Sequence, residues 1–224
     1  CTSARLDNAN FRWMSAHYIT VAGQDVWAMR MSYAGELGWE FHMPRTVMLN
    51  VYHALWSAGE RYDIADYGSF AMNILRMEKM FPGAGELTNE VTLPEAGVMR
   101  FVRMDKAFAG KTQTQTSLEG DLPWVCAYLE IDGDGIVDGH GGEAVLHNGK
   151  VVGSTASVVY GHTVGTGLAF AYIDPAAAKA ETHLQVVIAG SPRPAKVLAK
   201  PAYDPDNLKP RTDAANGDTH NEHQ

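Results

Sequence analysis

Cysteine is scarce. Cys1 and Cys126 are the two thiols in 224 residues, and a pair supplies neither a disulfide framework nor a metal-ligand set. Long apolar runs are missing as well. No stretch approaches the roughly 20 residues needed to cross a bilayer, so no membrane association is expected. There is no basic excess: the net charge is -8 with both signs interspersed, which argues against a nucleic-acid groove or a polybasic lipid patch. The start, Cys1-Thr2-Ser3-Ala4-Arg5, has neither an initiator Met nor an apolar leader, and the expectation is a chain that begins inside a longer polypeptide. Dinucleotide and phosphate signatures are wanting too. Gly133, Gly135 and Gly139 do not space as G-x-G-x-x-G, and no G-x-S-x-G elbow occurs. Ten methionines beside two cysteines suit a reducing compartment, and the expected location is cytoplasmic.

What is present reads as an α+β chain. Tyr18-Ile19-Thr20-Val21 and Val26-Trp27-Ala28-Met29-Arg30-Met31 predict strands around a turn at Gly23. Ser32 to Phe41 then predicts a glycine-pinched turn at Gly35 and Gly38 and a returning strand through Met43. The turn would set the Tyr33 phenol and the Glu40 carboxylate at one mouth, able to grip a flat polar heterocycle. On residue types alone a hairpin with ordinary polar ends is read ahead of a binding site. Val47, Val51, Ala54, Leu55 and Ala58 recur at helical spacing, with Gly59 as the expected cap. A short strand near Ile64 and a helix from Ser69 to Lys79 follow. Val98 to Val102 predicts a further strand, and Ala107 to Gly120 at best a weak helix. From Trp124 the pattern turns all-β, with short strands at 124–131, 144–147, 151–152, 156–160, 168–173, 184–188 and 195–198. Asn148-Gly149 is a type I′ hairpin signal. The expected fold class is an α/β sandwich region followed by a small C-terminal antiparallel β-barrel. The expected division is residues 1–120, 121–203, and a polar, partly disordered tail over 204–224.

Three constellations invite chemistry and are read as structural. Asp132-Gly133-Asp134 with Glu143 copies the first, third and last ligands of a calcium loop, but Ile136 and Val137 stand where a ligand and a glycine are required. A solvated loop is the expectation. The nine histidines form no H-x-H or H-x-x-x-H pair; His140, His147 and His162 lie among turn glycines, and His220 and His223 lie in the tail, so no metal site is expected. Arg76-Met77-Glu78-Lys79 closes a helix and is read as a solvated end, ahead of a cation facing an anionic ligand. Cys126, in an apolar strand, is expected to be inert.

Three stretches in order carry a resemblance. They are Met31-Ser32-Tyr33-Ala34-Gly35-Glu36-Leu37-Gly38-Trp39-Glu40; Gly68 through Lys79 with Thr92-Leu93-Pro94-Glu95-Ala96-Gly97; and Asn148 through Gly153 with Tyr160 through Gly165. Together they resemble the folate-dependent aminomethyltransferase family over about residues 10–202. The Glu-Leu-Gly-Trp-Glu and Leu-Arg-Met-Glu-Lys wordings are closest to the version fused to flavin amine dehydrogenases, the dimethylglycine and sarcosine dehydrogenases. The resemblance implies tetrahydrofolate as cofactor, with Tyr33 a wall of its site and Glu40 accepting hydrogen bonds from the pterin amino and ring N–H groups. A carboxylate suits that task because it only accepts and takes two parallel donors.

The pattern also departs from the family. Met72 occupies the position where many T-proteins carry a folate-contacting Arg. Arg100 or Phe101 stands near a family aromatic. The acidic residue associated with methylene transfer lies upstream of the signature in the family, and Asp7 is not adopted for it, so no catalytic residue is assigned. No flavin motif is present, and a flavin would belong only to an N-terminal part preceding this chain. The resemblance therefore implies the one-carbon-transfer part of a methylamine demethylase. It would take carbon from a small methylated amine and work with the rest of a longer polypeptide or a partner subunit. The alternatives are a flavin-free demethylase of another methyl donor (an amine oxide, a sulfonium or a methoxy-aromatic) and a non-catalytic folate-binding or assembly domain.

Overall fold

The architecture follows from two hydrophobic periodicities, an alternating one at each end of the chain and a helical one between. The structure is a computed structural model and describes residues 1–133 and 139–213. These fall into two units: residues 1–72 with the stretch from 206 onward, and residues 73–205.

In the first unit β1 (Ala16–Val21) and β2 (Gln24–Met29) pair antiparallel, Val21 opposite Gln24. Ala22 and Gly23 join them with φ of 50° and 74°, the two left-handed residues of a type I′ turn. β3 (Glu40–His42) adds to the far edge of β2, Glu40 opposite Met29. Alternation puts Val26 and Ala28 wholly inside. Val21, Val26 and Val51 form the core with Ile19, Phe41, Met43 and Leu55 against them, so α1 (Arg45–Gly59) lies with its Val51 and Leu55 stripe on the sheet. Pro44 precedes α1 at φ -57°, a preset angle suited to a helix start. The end of α1 differs from the expectation. Gly59 stays right-handed at φ -87°, the chain continues through a 3₁₀ turn (Glu60–Tyr62), and Asp63, at φ 55°, makes the left-handed stop. Gly59 is small for another reason: a Cβ there would lie 2.7 Å from Ile64 Cβ. Ile64 itself is in no strand; a lone apolar residue has no ladder to join.

α2 (Ser69–Glu78) matches its predicted span to within a residue and carries the chain into the second unit. Here Met99–Phe101 is a 3₁₀ turn where a strand was expected. A five-residue stretch with four apolar residues around Arg100 does not distinguish the two without a partner strand. α3 (Lys111–Glu119) is a full helix. The barrel has six antiparallel strands: β4 (Val125–Ile131), β5 (Ala144–His147), β6 (Lys150–Gly161), β7 (Thr166–Ile173), β8 (His183–Ile188) and β9 (Ser191–Leu198). It closes in the order β4-β7-β6-β5-β8-β9. Asn148 and Gly149, at φ 51° and 75°, make the expected hairpin. The two short strands expected at 151–152 and 156–160 are one long β6, bulged between Thr155 and Ser157; the polar Gly-Ser-Thr stretch marks the bulge and does not break the strand. Leu129, Ile131, Val145, Ala169, Ala171, Ile173, Val186 and Val197 fill the interior. Tyr128, Leu168 and Phe170 point outward and are covered by Met77 of α2. β7 is thus buried on both faces, which is why its sequence is almost wholly apolar.

Candidate functional site

Between β2 and β3 the structure has a ten-residue connection, 30–39, in place of a tight turn. β2 ends at Met29 and β3 starts at Glu40, so the two flanking strands are shorter than the sequence predicted. Gly35 is buried at φ 84°, a backbone angle costly for a side chain. Gly38 lies close to Ser32, whose Cβ would be 3.3 Å from a Cβ there. One glycine thus takes the left-handed backbone angle and the other the close approach. Tyr33 is on it, 39% exposed. Glu40 follows it, exposed at the head of β3, its Oε2 3.8 Å from His42 Nε2 two residues on and on the same face of the strand. Both sequence-predicted site residues therefore belong to one short segment, and both are exposed. Glu36 is exposed as well.

Beneath the connection lies a residue that the sequence reading passed over. Arg30 is wholly buried. Its Nη1 donates to Phe11 O and its Nη2 to Thr212 O, each at 2.6 Å. Its guanidinium covers the Trp39 ring at 5.5 Å, and Trp39 meets Phe11 edge-on at 6.2 Å. Arg30 N donates to Ser15 O and Arg30 O accepts from Met14 N, both at 2.9 Å. Two buried donors, Arg30 Nε and Trp39 Nε1, have no partner. The signal in the sequence was slight: a single cation at the end of an apolar strand.

The second helix overturns an expectation. Arg76, Met77, Glu78 and Lys79 are all buried, because this turn of α2 faces the outer wall of the barrel. Neither cation is left for a ligand. Arg76 Nη1 donates to Glu86 Oε2 at 2.7 Å and to Phe81 O at 3.0 Å. Its Nε and Nη2 both donate to Asn73 Oδ1, and Nη2 also reaches Ser157 Oγ at 3.3 Å. Glu86, fully buried, takes in addition the N–H of Gly83 at 2.6 Å. Lys79 Nζ donates to both the backbone and the carboxylate of Asp204 at 2.9 Å. Glu78 Oε1 accepts from Thr163 N at 2.8 Å, while its Oε2 has no partner. Buried charges are tolerated when paired and hydrogen-bonded. This network staples the 81–86 loop and the 204 region to α2 within the second unit.

The remaining candidates separate cleanly. Asp132 and Gly133 are exposed, whereas Asp134, Gly135, Ile136 and Val137 of the calcium-like loop lie outside the described residues, as do His220 and His223. Glu143 is occupied elsewhere: it accepts from His140 N at 2.6 Å, Gly141 N at 3.0 Å and the Thr155 hydroxyl. Burial raises its pKa, but those hydrogen bonds outweigh it and leave the carboxyl below its ordinary 4.5. Among the described residues no group of three His, Cys, Asp or Glu is placed to hold a metal ion, and no helix is long and apolar enough to cross a membrane. The Cys126 thiol lies in β4, within the expected apolar strand. Burial, reinforced by the charge of Glu86, pushes it up to about 12. Asp7 caps a turn, accepting from Ala9 N and from the backbone and side chain of Asn10. Arg100 is exposed and lies over the Phe101 ring at 4.7 Å, and Phe101 is exposed too.

Comparison with known proteins places this geometry. The family model described as the GCVT N-terminal domain matches residues 1–106, and that described as the glycine cleavage T-protein C-terminal barrel domain matches residues 125–204. The chain belongs to the glycine cleavage T-protein family. The T-protein barrel match encloses β4 to β9, and the N-terminal match contains the 30–39 connection and α2. Among relatives, mitochondrial dimethylglycine dehydrogenase of Homo sapiens is 35% identical over 205 residues, covering 89% of this chain and 23% of its own length. The aminomethyltransferase of Thermoanaerobacter sp. (strain X514) is 30% identical over 187 residues, covering 83% of this chain and 50% of its own length. The chain thus spans about a quarter of the dehydrogenase and half of the transferase. The crystal structure of the glycine cleavage system aminomethyltransferase T from Bartonella henselae aligns with a TM-score of 0.76 at 20% identity, over 86% of this chain and 53% of that one. That likeness bears on the fold. The family homologues are enzymes, and this T-protein-like chain is a member of an enzyme family.

Proposed function

We propose that this T-protein family chain is the tetrahydrofolate-binding, one-carbon-transfer part of a methylamine demethylase of the dimethylglycine or sarcosine dehydrogenase kind, capturing formaldehyde-level carbon as methylene-tetrahydrofolate. The observation that carries the reading is the exposed Glu40 carboxylate at the head of β3, on the segment that also exposes Tyr33. The residues fit the group. A pterin ring edge presents neighbouring N–H donors, and a carboxylate on a strand, free of any backbone ladder duty for its side chain, accepts two of them in parallel. The Tyr33 ring supplies a flat apolar wall with a polar tip. When bound, the reduced folate supplies a nucleophilic ring nitrogen. This chain's residues orient the ring and shield its surroundings from water. A cytoplasmic setting, a flavin-bearing part elsewhere in the polypeptide and a small methylated amine as carbon donor belong to the same proposal. The similarity to dimethylglycine dehydrogenase, which extends along nine-tenths of this chain, supports the one-carbon-transfer part of this reading.

Isothermal calorimetry with tetrahydrofolate tests it. Glu40→Ala is expected to weaken binding at least tenfold, since hydrogen bonds to a charged group contribute about 1.5–3 kcal/mol; Tyr33→Ala is expected to lose less. Glu40→Ala binding as tightly as wild type sinks the pterin assignment.

A further inference from the structure

We propose that Arg30 is the positioning residue of the reduced-folate site, clamping both ends of the 30–39 connection and tying them to the C-terminal segment 208–213. The inference rests on the folate reading of Tyr33 and Glu40.

Met31 N bonds back to Met29 O at 3.0 Å, and beyond that the connection belongs to no strand ladder. Arg30 sets the first end through its own backbone, bonded to Ser15 O and Met14 N. Its guanidinium sets the other end by covering Trp39, the residue directly before Glu40. Tyr33 is three residues from one clamp and Glu40 one residue from the other. The same guanidinium holds Phe11 O and Thr212 O, carbonyls of two segments outside the sheet. The 208–213 stretch is itself seated: Pro210 is buried, Arg211 O accepts from Asn8 Nδ2 at 3.1 Å, and the Arg211 guanidinium lies over Trp13 at 4.6 Å.

Stability is a poor reason for this arrangement. A buried guanidinium carries a large desolvation cost, and an apolar side chain of similar volume is often as good. Here the cost is not even fully offset, because Arg30 Nε and Trp39 Nε1 stay unpaired. Such groups are rare in native interiors. Arginine supplies what an apolar filler cannot: a rigid fork that fixes two carbonyls and one aromatic face at set directions. A connection so held presents Tyr33 and Glu40 ready-made, which lowers the ordering cost of binding.

The test uses the 224-residue chain, 5-formyltetrahydrofolate as an unreactive reduced-folate probe, and three variants: Arg30→Met, Arg30→Lys, and removal of residues 207–224. Val51→Ala, a core change in the same unit, serves as the control for lost stability. Arg30→Met is expected to weaken binding by about ten- to a hundredfold, the scale on which small misplacements act. Arg30→Lys should recover part of the loss, since an ammonium reaches one carbonyl but does not make the fork. The truncated chain should weaken binding although none of its missing residues lies on the site segment. Val51→Ala should lower the melting temperature and leave the affinity alone. Wild-type affinity in a folded Arg30→Met chain overturns the inference and leaves the folate reading standing. An affinity loss in Val51→Ala equal to that in Arg30→Met at matched melting temperature also overturns it. If Arg30→Met fails to fold, wild-type affinity in Arg30→Lys and in the truncated chain has the same force. No binding by the wild-type chain removes the folate reading, and this inference falls with it.

Discussion

At the scale of single residues, charge identity predicted environment badly. Arg76, Glu78 and Lys79 are the residue types least often buried, and their run at a helix end reads as solvent-facing. What inverts that is Glu86, ten residues on, and Asp204, on the far side of the barrel sequence. No local pattern announces either partner. The Arg76–Glu86 pair gives the sharpest stability prediction. Arg76→Met strands a buried carboxylate and should cost about 3–5 kcal/mol, whereas Arg76→Met with Glu86→Leu should recover much of it. Urea unfolding of the single and double variants reads the difference directly; a double variant as damaged as the single would mean that the pair itself, and not the stranded charge, is what matters. Cys126 was the opposite case. Its apolar strand neighbours alone foretold an inert thiol, and with its pKa at about 12 only about one molecule in ten thousand carries the thiolate at pH 8. Titration with a thiol reagent on the folded chain should therefore show a single fast equivalent, from exposed Cys1, and a second after denaturation.

At the scale of elements, α2 and the 148–149 hairpin were legible because their signals are local: a helical apolar stripe in one, an Asn-Gly pair in the other. The Met99–Phe101 turn and the unity of β6 were not, since a short apolar run becomes strand or turn according to whether a partner lies alongside. Gly153 shows how close such a partner can come. A Cβ there would collide with Tyr172 O and lie 2.8 Å from Ile173 Cα across the β6–β7 ladder. Both are backbone atoms with nowhere to go, so Gly153→Ala should destabilise the barrel by about 1–3 kcal/mol, read as a shift in denaturant midpoint at unchanged slope. Just before β5, Glu143 joins the 140–143 segment to Thr155 of β6. Its folded pKa lies below the unfolded 4.5, so its contribution is complete above that value and is lost as pH falls through the folded one. Glu143→Gln should accordingly flatten part of the acid limb of a stability–pH profile below pH 4.5 and change little of the profile's shape above it.

For the molecule as a whole, a ligand that binds only the folded chain must raise its stability by mass action. Tetrahydrofolate at a hundred times its dissociation constant should add about 2.7 kcal/mol, visible as a higher melting temperature in wild type and as a smaller rise in Glu40→Ala at the same concentration. Equal rises would place the bound folate away from Glu40. Composition and local pattern settled the broad layout: an α+β region before an all-β barrel, and a segment around Tyr33 and Glu40 with the wording of a known family. These are properties of neighbours in sequence, where spacing and residue type act directly. Only the tertiary structure decided that the 30–39 stretch is a long connection and not a tight turn, that α2 ends in a buried ionic staple, and that Arg30, just after β2, reaches Phe11, Trp39 and Thr212. Each of those depends on partners brought together from distant parts of the chain. Burial of a charge is worth its desolvation only when such partners arrive, and spacing along the sequence carries no record of that.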